Sequence, residues 1–295
     1  MPLYDGKKLA QEGLLDVAGH CAQAALHAPQ LTGSVDLKVE VVTGDELLDF
    51  FKVQDELRKV GLFTTAESYK TAYNAGEPPA VLLIGADCRP APVLNWDCGA
   101  CGYNTCVEAG VYCRERERET QGEAWGHIWK GPSCVWKIME LGIACDWAAA
   151  AAHRLNVETR VQLIPGGLFM RMGYLEGCTA ANALPLGPCK EHWYFEPGTR
   201  ITPRSWSHDA ALDSMALRYP SLWIKFMGPG IDLGRTTMKD KDDFWDAPHR
   251  YLKMVEDPEF DKLIEQRMAK IVEVTDEIRR KRRAKKEEEA PSPKE

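Results

Sequence analysis

The feature that most constrains this chain is a group of three cysteines, Cys98, Cys101 and Cys106, in the segment "NWDCGACGYNTC". Their spacing, C-x2-C-x4-C, lets consecutive loop thiolates converge on one metal centre. Gly99 and Gly102 permit the tight backbone turns that this convergence requires. The segment therefore predicts a metal-binding loop.

Two cysteines compete to be the fourth ligand that a [4Fe–4S] cluster normally takes. Cys113 lies on the same predicted helix as Cys106 and ~10 Å further along it, because a helix rises ~1.5 Å per residue. That distance is too long for a small cluster. Cys134 lies in the first turn of the next predicted helix, where free N–H groups and the helix dipole favour an anionic group. We therefore expect Cys134 to be the ligand and keep Cys113 as the alternative.

Zinc is the alternative metal, because four cysteines also make a structural zinc site. Zinc ribbons usually pair two C-x2-C couples, whereas here three cysteines cluster and the fourth is distant, as in ferredoxin-type sites. We therefore expect a [4Fe–4S] cluster on Cys98, Cys101, Cys106 and Cys134. Of the other thiols, Cys145 fits a core position, and Cys189 is a further candidate site residue.

Composition limits the partners and the compartment. The 295 residues carry a net charge of -7, which argues against a general nucleic-acid binder. The N-terminal sequence lacks the pattern of a secretory signal. The longest apolar stretch, "ACDWAAAAA", is far shorter than the ~20 residues that cross a bilayer. We therefore expect a cytoplasmic protein without nucleic-acid or membrane partners, in which reduced, clustered cysteines indicate metal binding.

The pattern of elements predicts an α+β fold, with helices packed on a small mixed sheet. The segments "VDLKVEVV" (35–42), "AVLLIGA" (80–86), "TRVQLI" (159–164) and one near residue 182 are predicted to supply the strands. Thr105 and Glu108 match a capping box, which predicts a helix beginning at Cys106. Pro132 is expected in the first turn of the next helix, and residues 166–175 are expected to form another. The helix after "GPSC" carries a predicted core stripe: Cys134, Ile138, Leu141, Cys145, Ala148, Ala152 and Leu155.

Two units are expected along the chain. Residues 1–197 are predicted to form the main iron–sulfur domain. Residues 198–295 are predicted to form an irregular extension that ends in a long helix from Pro258. The final stretch, "RRKRRAKKEEEAPSPKE", has a run of basic residues followed by a run of acidic ones. It is expected to be largely disordered.

The cysteine loop and the segments after it resemble a known family. "CGACGYNTC", followed by "GPSCVWKIMELGIACDWAAAAA", is similar to the C-G-x-C-G-x-x-x-C and G-P-x-C pattern of an uncharacterised family of ferredoxin-domain-containing proteins from anaerobic bacteria and archaea. "ETRVQLIPGGLFMRMGYLE" and "ALPLGPCKEHWYFEP" look like two further segments of that family. The resemblance covers roughly residues 10–197 and implies the same four cysteine ligands.

By position, the resemblance aligns Arg160 and Lys190 with an arginine and a lysine of the family. His127 lies before Cys134 in "EAWGHIWKGPSC", flanked by two tryptophans. These three residues are the candidate catalytic groups. They fit an iron–sulfur oxidoreductase of anaerobic metabolism that passes electrons to a small-molecule substrate or a second cofactor. The alternative is a non-catalytic electron-transfer subunit of a larger complex. Either function implies an electron donor or acceptor protein as partner, and a homo-oligomer is compatible with both.

Overall fold

Three strands form the centre of the fold: β1 (Leu37–Val42), β2 (Ala80–Ala86) and β3 (Ala180–Leu186). They lie in the order β1-β2-β3, and both pairs are antiparallel. The computed structural model describes residues 3–59, 67–90, 95–119, 131–187 and 258–289. The predicted α+β class is confirmed. Across these ranges the sheet is antiparallel, whereas a mixed sheet was predicted.

Helices cover both faces of the sheet. Those in the described ranges are α1 (Gly6–Glu12), α2 (Leu14–Leu26), α3 (Leu47–Lys59), α4 (Glu67–Asn74), α5 (Cys106–Glu119), α6 (Val135–Arg154), α7 (Leu163–Arg171) and α8 (Pro258–Glu289), with a 3-10 turn at Gly44–Glu46 before α3. The TxxE pattern predicted the start of α5 at Cys106, and this prediction is confirmed. No helix in the described ranges is both long and apolar enough to cross a membrane.

The central strand β2 is buried along its whole length because the sheet is sandwiched between two helical layers. Leu82 and Ile84 face α2 and α6 in one apolar cluster. Val81 and Leu83 face α3, α7 and α8 in a second cluster. A strand covered on both faces needs apolar side chains at every position, which explains the uninterrupted run "AVLLIGA".

The strand predicted over residues 159–164 is not formed. Only two isolated bridges join this segment to the end of β3, from Glu158 to Gly187 and from Gln162 to Ala183. Helix α7 begins at Leu163, so the helix predicted over residues 166–175 starts three residues early and ends at Arg171. Pro165 lies in the first turn of α7, where its missing N–H costs no hydrogen bond. The early start of α7 therefore leaves too few extended residues for a strand.

Helix α8 packs against the main sheet layer rather than standing apart from it. Met268, Ile271 and Ile278 are buried in the same cluster as residues of α3 and α7. The charged run expected to be largely disordered is helical through Glu289, and this corrects the prediction. The predicted boundary near residue 197 lies outside the described residues.

Candidate functional site

The cysteine loop leaves the sheet at the end of β2 and returns through helix α5. Cys88, two residues after β2, donates its backbone N–H to Thr179 Oγ1, with an N–O distance of 2.8 Å. Its carbonyl accepts the N–H of Cys134 at 2.7 Å. These hydrogen bonds hold the start of α6 against the residues that follow β2. The cysteine loop lies next to this contact.

The four predicted ligands share one recess. Cys98, Cys101, Cys106 and Cys134 all line a concavity with about 350 Å³ of space, part of it open to solvent. The rest of its wall comes mainly from the loop itself, from Pro90 and from the first residues of α6. Two segments that are distant in sequence thus supply thiols to the same surface.

Four residues of the cysteine loop adopt positive φ angles, which glycine, asparagine and aspartate tolerate best. Gly99 and Gly102 have φ values of 70° and 85°, and Asn95 and Asp97 both have φ of 42°. Glycine takes the left-handed region without steric cost, and Asn and Asp tolerate it better than other residues. A hydrogen bond of 2.9 Å from the Gly102 N–H to the Gly99 carbonyl closes the turn.

Side chains of the loop hold the start of α5 at the recess. The Asp97 carboxylate accepts the N–H of Cys106 at 2.7 Å, and the Thr105 hydroxyl accepts the N–H of Glu108 at 3.1 Å. The Glu108 carboxylate reaches back to the N–H of Asn104, at 3.3 Å, rather than to that of Thr105. These bonds satisfy N–H groups that the first turn of a helix leaves without partners.

Cys134 was predicted in the first turn of α6. It is the N-cap residue of that helix, one position before the first turn. Pro132 therefore precedes the helix, and its predicted place in the first turn is wrong. Cys134 has extended φ and ψ angles of -69° and 122°, and its side chain caps no N–H of the helix. The thiol is free to turn toward the recess, and the positive end of the helix dipole lies beside it.

Nearby N–H donors lower the pKa of the Cys98 thiol. The Ala100 N–H, and after it the indole N–H of Trp136, lower the pKa of this exposed cysteine. Donors that point at sulfur stabilise the thiolate, which is the form that binds metal. The ring of Trp96 meets that of Trp136 edge-on, with 6.3 Å between their centroids.

The remaining described thiols are buried. Burial raises the pKa of Cys88 and of Cys145 to about 12, and that of Cys21 and Cys178 to about 11. The core role predicted for Cys145 agrees with its 1% exposure. Cys113 is also buried and does not line the recess.

The predicted catalytic residues do not contribute to the recess within the described ranges. Arg160 lies between the two bridges that pair Glu158 with Gly187 and Gln162 with Ala183, beside the second half of β3. The recess lies at the opposite end of the sheet, where Thr179 and Cys88 meet. A seven-residue strand at ~3.3 Å per residue separates the two ends by ~20 Å. His127 and Lys190 lie outside the described residues, as do Trp125, Trp129 and Cys189.

Sequence reasoning missed two residues of the site. Asp97 lies nine residues before Cys106, so the capping pattern of adjacent residues gives no signal for its bond to that N–H. Lys137 is 6% exposed on α6, and its ammonium group approaches the Asp87 carbonyl, at 3.3 Å. A lysine within an apolar stripe gives no sequence signal of burial, because lysine is almost always exposed.

The residues of the recess fit an iron–sulfur group by the chemistry of their donors. Cysteine thiolates are the ligands that iron–sulfur clusters take, and Cys98, Cys101, Cys106 and Cys134 all line this recess. The Nε1–H of Trp136, which also lines the recess, is buried and makes no hydrogen bond of good geometry. In the described ranges, no three Cys, His, Asp or Glu side chains are grouped so as to hold a single metal ion.

Comparison with known proteins supports the family resemblance. Residues 130–196 match the family described as "Uncharacterized protein containing a ferredoxin domain (DUF2148)", which confirms the predicted resemblance. This segment contains Cys134, whereas the three loop cysteines precede it. An Archaeoglobus fulgidus protein described as "Uncharacterized protein" is 24% identical over 194 residues, which cover 66% of this chain and 97% of the relative. No solved structure matches the chain. A ferredoxin domain indicates an iron–sulfur group and electron transfer, without naming a reaction.

Proposed function

We propose that this protein is an iron–sulfur electron-transfer protein that holds one [4Fe–4S] cluster on Cys98, Cys101, Cys106 and Cys134. The observation that carries the proposal is the shared recess: three thiols of one loop and the N-cap thiol of α6 line a single space of about 350 Å³. The matched ferredoxin-domain family supports the same chemistry.

The chain's own groups favour an anionic cluster in this recess. The Ala100 N–H points at the Cys98 sulfur, and the dipole of α6 presents its positive end at Cys134. Amide donors to sulfur are among the factors that set the potential of iron–sulfur groups. The Asp97 carboxylate holds Cys106 through its N–H and thereby fixes where that thiol stands.

When bound, the cluster would accept and release single electrons. The residues around it determine which molecules reach it. Cys98 is exposed, so the edge of the recess at the loop is open to a partner protein. Trp136, whose ring meets that of Trp96 edge-on, forms part of the wall of the recess. This arrangement suits exchange with an electron donor or acceptor that docks on the loop.

Electron transfer to a partner protein takes precedence over reduction of a small molecule in this proposal. An oxidoreductase would need acid–base or anion-binding side chains beside the cluster. Arg160, the candidate of this kind within the described ranges, is absent from the lining of the recess. The oxidoreductase assignment, with roles for Lys190 and His127, therefore stays a prediction. The cytoplasmic and anaerobic setting likewise stays a prediction.

The test of the proposal is elemental and spectroscopic. Protein purified under anaerobic conditions should contain four irons and four acid-labile sulfides per chain, and after reduction it should give an EPR signal of a four-iron cluster. Single Cys→Ala changes at residues 98, 101, 106 and 134 should abolish the signal or convert it to that of a smaller cluster, because each removes one thiolate.

Cys113→Ala is the matched control, because this thiol is buried and does not line the recess. It should retain iron, sulfide and the EPR signal of the unchanged protein. Stoichiometric zinc without any reducible cluster would overturn the proposal. A normal four-iron signal in the Cys134→Ala protein would show instead that another residue is the fourth ligand.

A further inference from the structure

The indole of Trp136 is a buried donor at the wall of the recess. Its Nε1–H is shielded from solvent and makes no hydrogen bond of good geometry. A buried N–H without an acceptor is destabilising, so a group in this state is unusual unless an acceptor arrives with a ligand. Trp136 lines the recess together with the four cysteines.

The position of the indole is determined by its neighbours. Trp136 lies in the first turn of α6, two residues after the N-cap Cys134. The ring of Trp96 packs edge-on against it at an interplanar angle of 73°, and this contact restricts the tilt of the indole plane. The indole N–H lies on the Cys98 side of the recess but makes no hydrogen bond of good geometry to that sulfur.

A donor at this point distinguishes between two oxidation states of the cluster. An N–H···S hydrogen bond strengthens as negative charge on the sulfur increases, because hydrogen bonds to charged acceptors are about twice as strong as neutral ones. The reduced cluster carries one more negative charge than the oxidised cluster. The indole would therefore stabilise the reduced state more and raise the reduction potential.

We infer that Trp136 donates its indole N–H to the Cys98 side of the bound cluster and sets the reduction potential of that cluster. This inference rests on the proposed iron–sulfur function and deepens it by naming a residue that controls when the protein accepts an electron. Trp136 is a positioning residue here: it acts on the cluster through a ligand sulfur and transfers no electron or proton itself.

The test is a redox titration of the cluster-loaded full-length protein, followed by EPR. In Trp136→Phe, which keeps an aromatic ring and removes the N–H, the ratio of reduced to oxidised cluster at a fixed potential should fall about three- to tenfold. For a one-electron couple a tenfold change is a shift of ~59 mV to lower potential. Trp147→Phe is the matched control, because this tryptophan lies on the same helix but is exposed and does not line the recess. Its potential should equal that of the unchanged protein.

A second variant removes only the N–H. Replacing Trp136 by 3-benzothienylalanine keeps the bicyclic ring and puts a sulfur atom in place of the N–H, so it should load the cluster even if Trp136→Phe does not. A fall in potential in this variant supports the inference. Loaded proteins with equal potentials would overturn the inference and leave the proposed function intact. Failure of the unchanged protein to bind any iron–sulfur cluster would overturn the proposed function itself.

Discussion

At the scale of single residues, the described cysteines fall into two chemical classes. Those of the recess lie near solvent or N–H donors. The pKa of Cys98 is lowered mainly by the Ala100 N–H and to a smaller extent by the Trp136 indole. Those between the sheet and its helices have their pKa raised by burial, as Cys88 and Cys145 do. The same side chain is thus a proposed metal ligand in one place and an inert apolar filler in the other.

This division predicts a pattern of alkylation in cluster-free, reduced protein. The thiolate is the reactive form, and its fraction rises as the pH passes the pKa. Cys98 should therefore react with iodoacetamide before Cys88 and Cys145 do, and at a lower pH. Cys88 and Cys145 should stay unlabelled at neutral pH, because a pKa of about 12 keeps them protonated and burial blocks access. Mass spectrometry after short pulses measures the labels, and denatured protein is the control in which every cysteine reacts. Equal labelling of Cys145 and Cys98 in the folded protein would contradict the assignment.

At the scale of elements, the approach of α7 to β3 depends on one glycine. A Cβ atom on Gly166 would lie 2.5 Å from the Ala181 carbonyl oxygen and 2.6 Å from Asn182 Cα. Both contacts are with backbone of the strand, which cannot turn aside as a side chain does. The Gly-Gly pair in "LIPGGLF" therefore serves close packing of a helix on the sheet.

Replacing Gly166 by alanine should lower the free energy of unfolding by ~1–3 kcal/mol or more, because the added methyl forces α7 away from β3. Gly142→Ala is the matched control: Gly142 lies exposed on α6, and a Cβ there meets nothing within 4 Å. That change should raise stability by ~1 kcal/mol through helix propensity. Urea denaturation followed by circular dichroism compares them. Equal midpoints for the two variants would show that the predicted clash is relieved.

At the scale of the whole molecule, helix α8, which lies near the C-terminal end of the sequence, packs into the apolar cluster on one face of the sheet. Ile271 and Ile278 are buried in the cluster that also contains residues of α3 and α7. Arg282 lies 3.3 Å from the centroid of the Tyr174 ring and 3.7 Å from the Glu40 carboxylate of β1. These contacts make α8 part of the core that supports the sheet.

The packing of α8 predicts that it unfolds together with the sheet. Ile278→Ala should lower the free energy of unfolding by ~2–5 kcal/mol, because it removes buried methyl groups and leaves a cavity. The transition followed by circular dichroism and that followed by tryptophan fluorescence should shift together, as in a two-state protein. Lys281→Ala, at an exposed position on the same helix, should leave both midpoints almost unchanged. Separate transitions in Ile278→Ala would indicate that α8 unfolds on its own.

Short-range patterns in the sequence were sufficient for several features. The TxxE pattern determined where α5 begins, and the apolar run of β2 identified a strand buried on both faces. The stripe on α6 is confirmed at four positions, Leu141, Cys145, Ala148 and Ala152. These features depend on residues within a few positions of each other, so local propensity and periodicity are enough to predict them.

Other features were decided only by the tertiary structure, because their causes lie far apart in the chain. Ile138 was predicted in the core of α6 but is 40% exposed, and Lys137 and Glu140 are buried instead. Glu140 is buried because the backbone N–H and hydroxyl of Thr32 bond to its carboxylate, at 2.5 and 2.6 Å. A buried charge is tolerated only where such partners meet it, and no local pattern reveals a partner more than a hundred residues away. The sequence by itself determined which thiols were candidates for one metal site; the meeting of β2, the loop and α6 decided which of them share a recess.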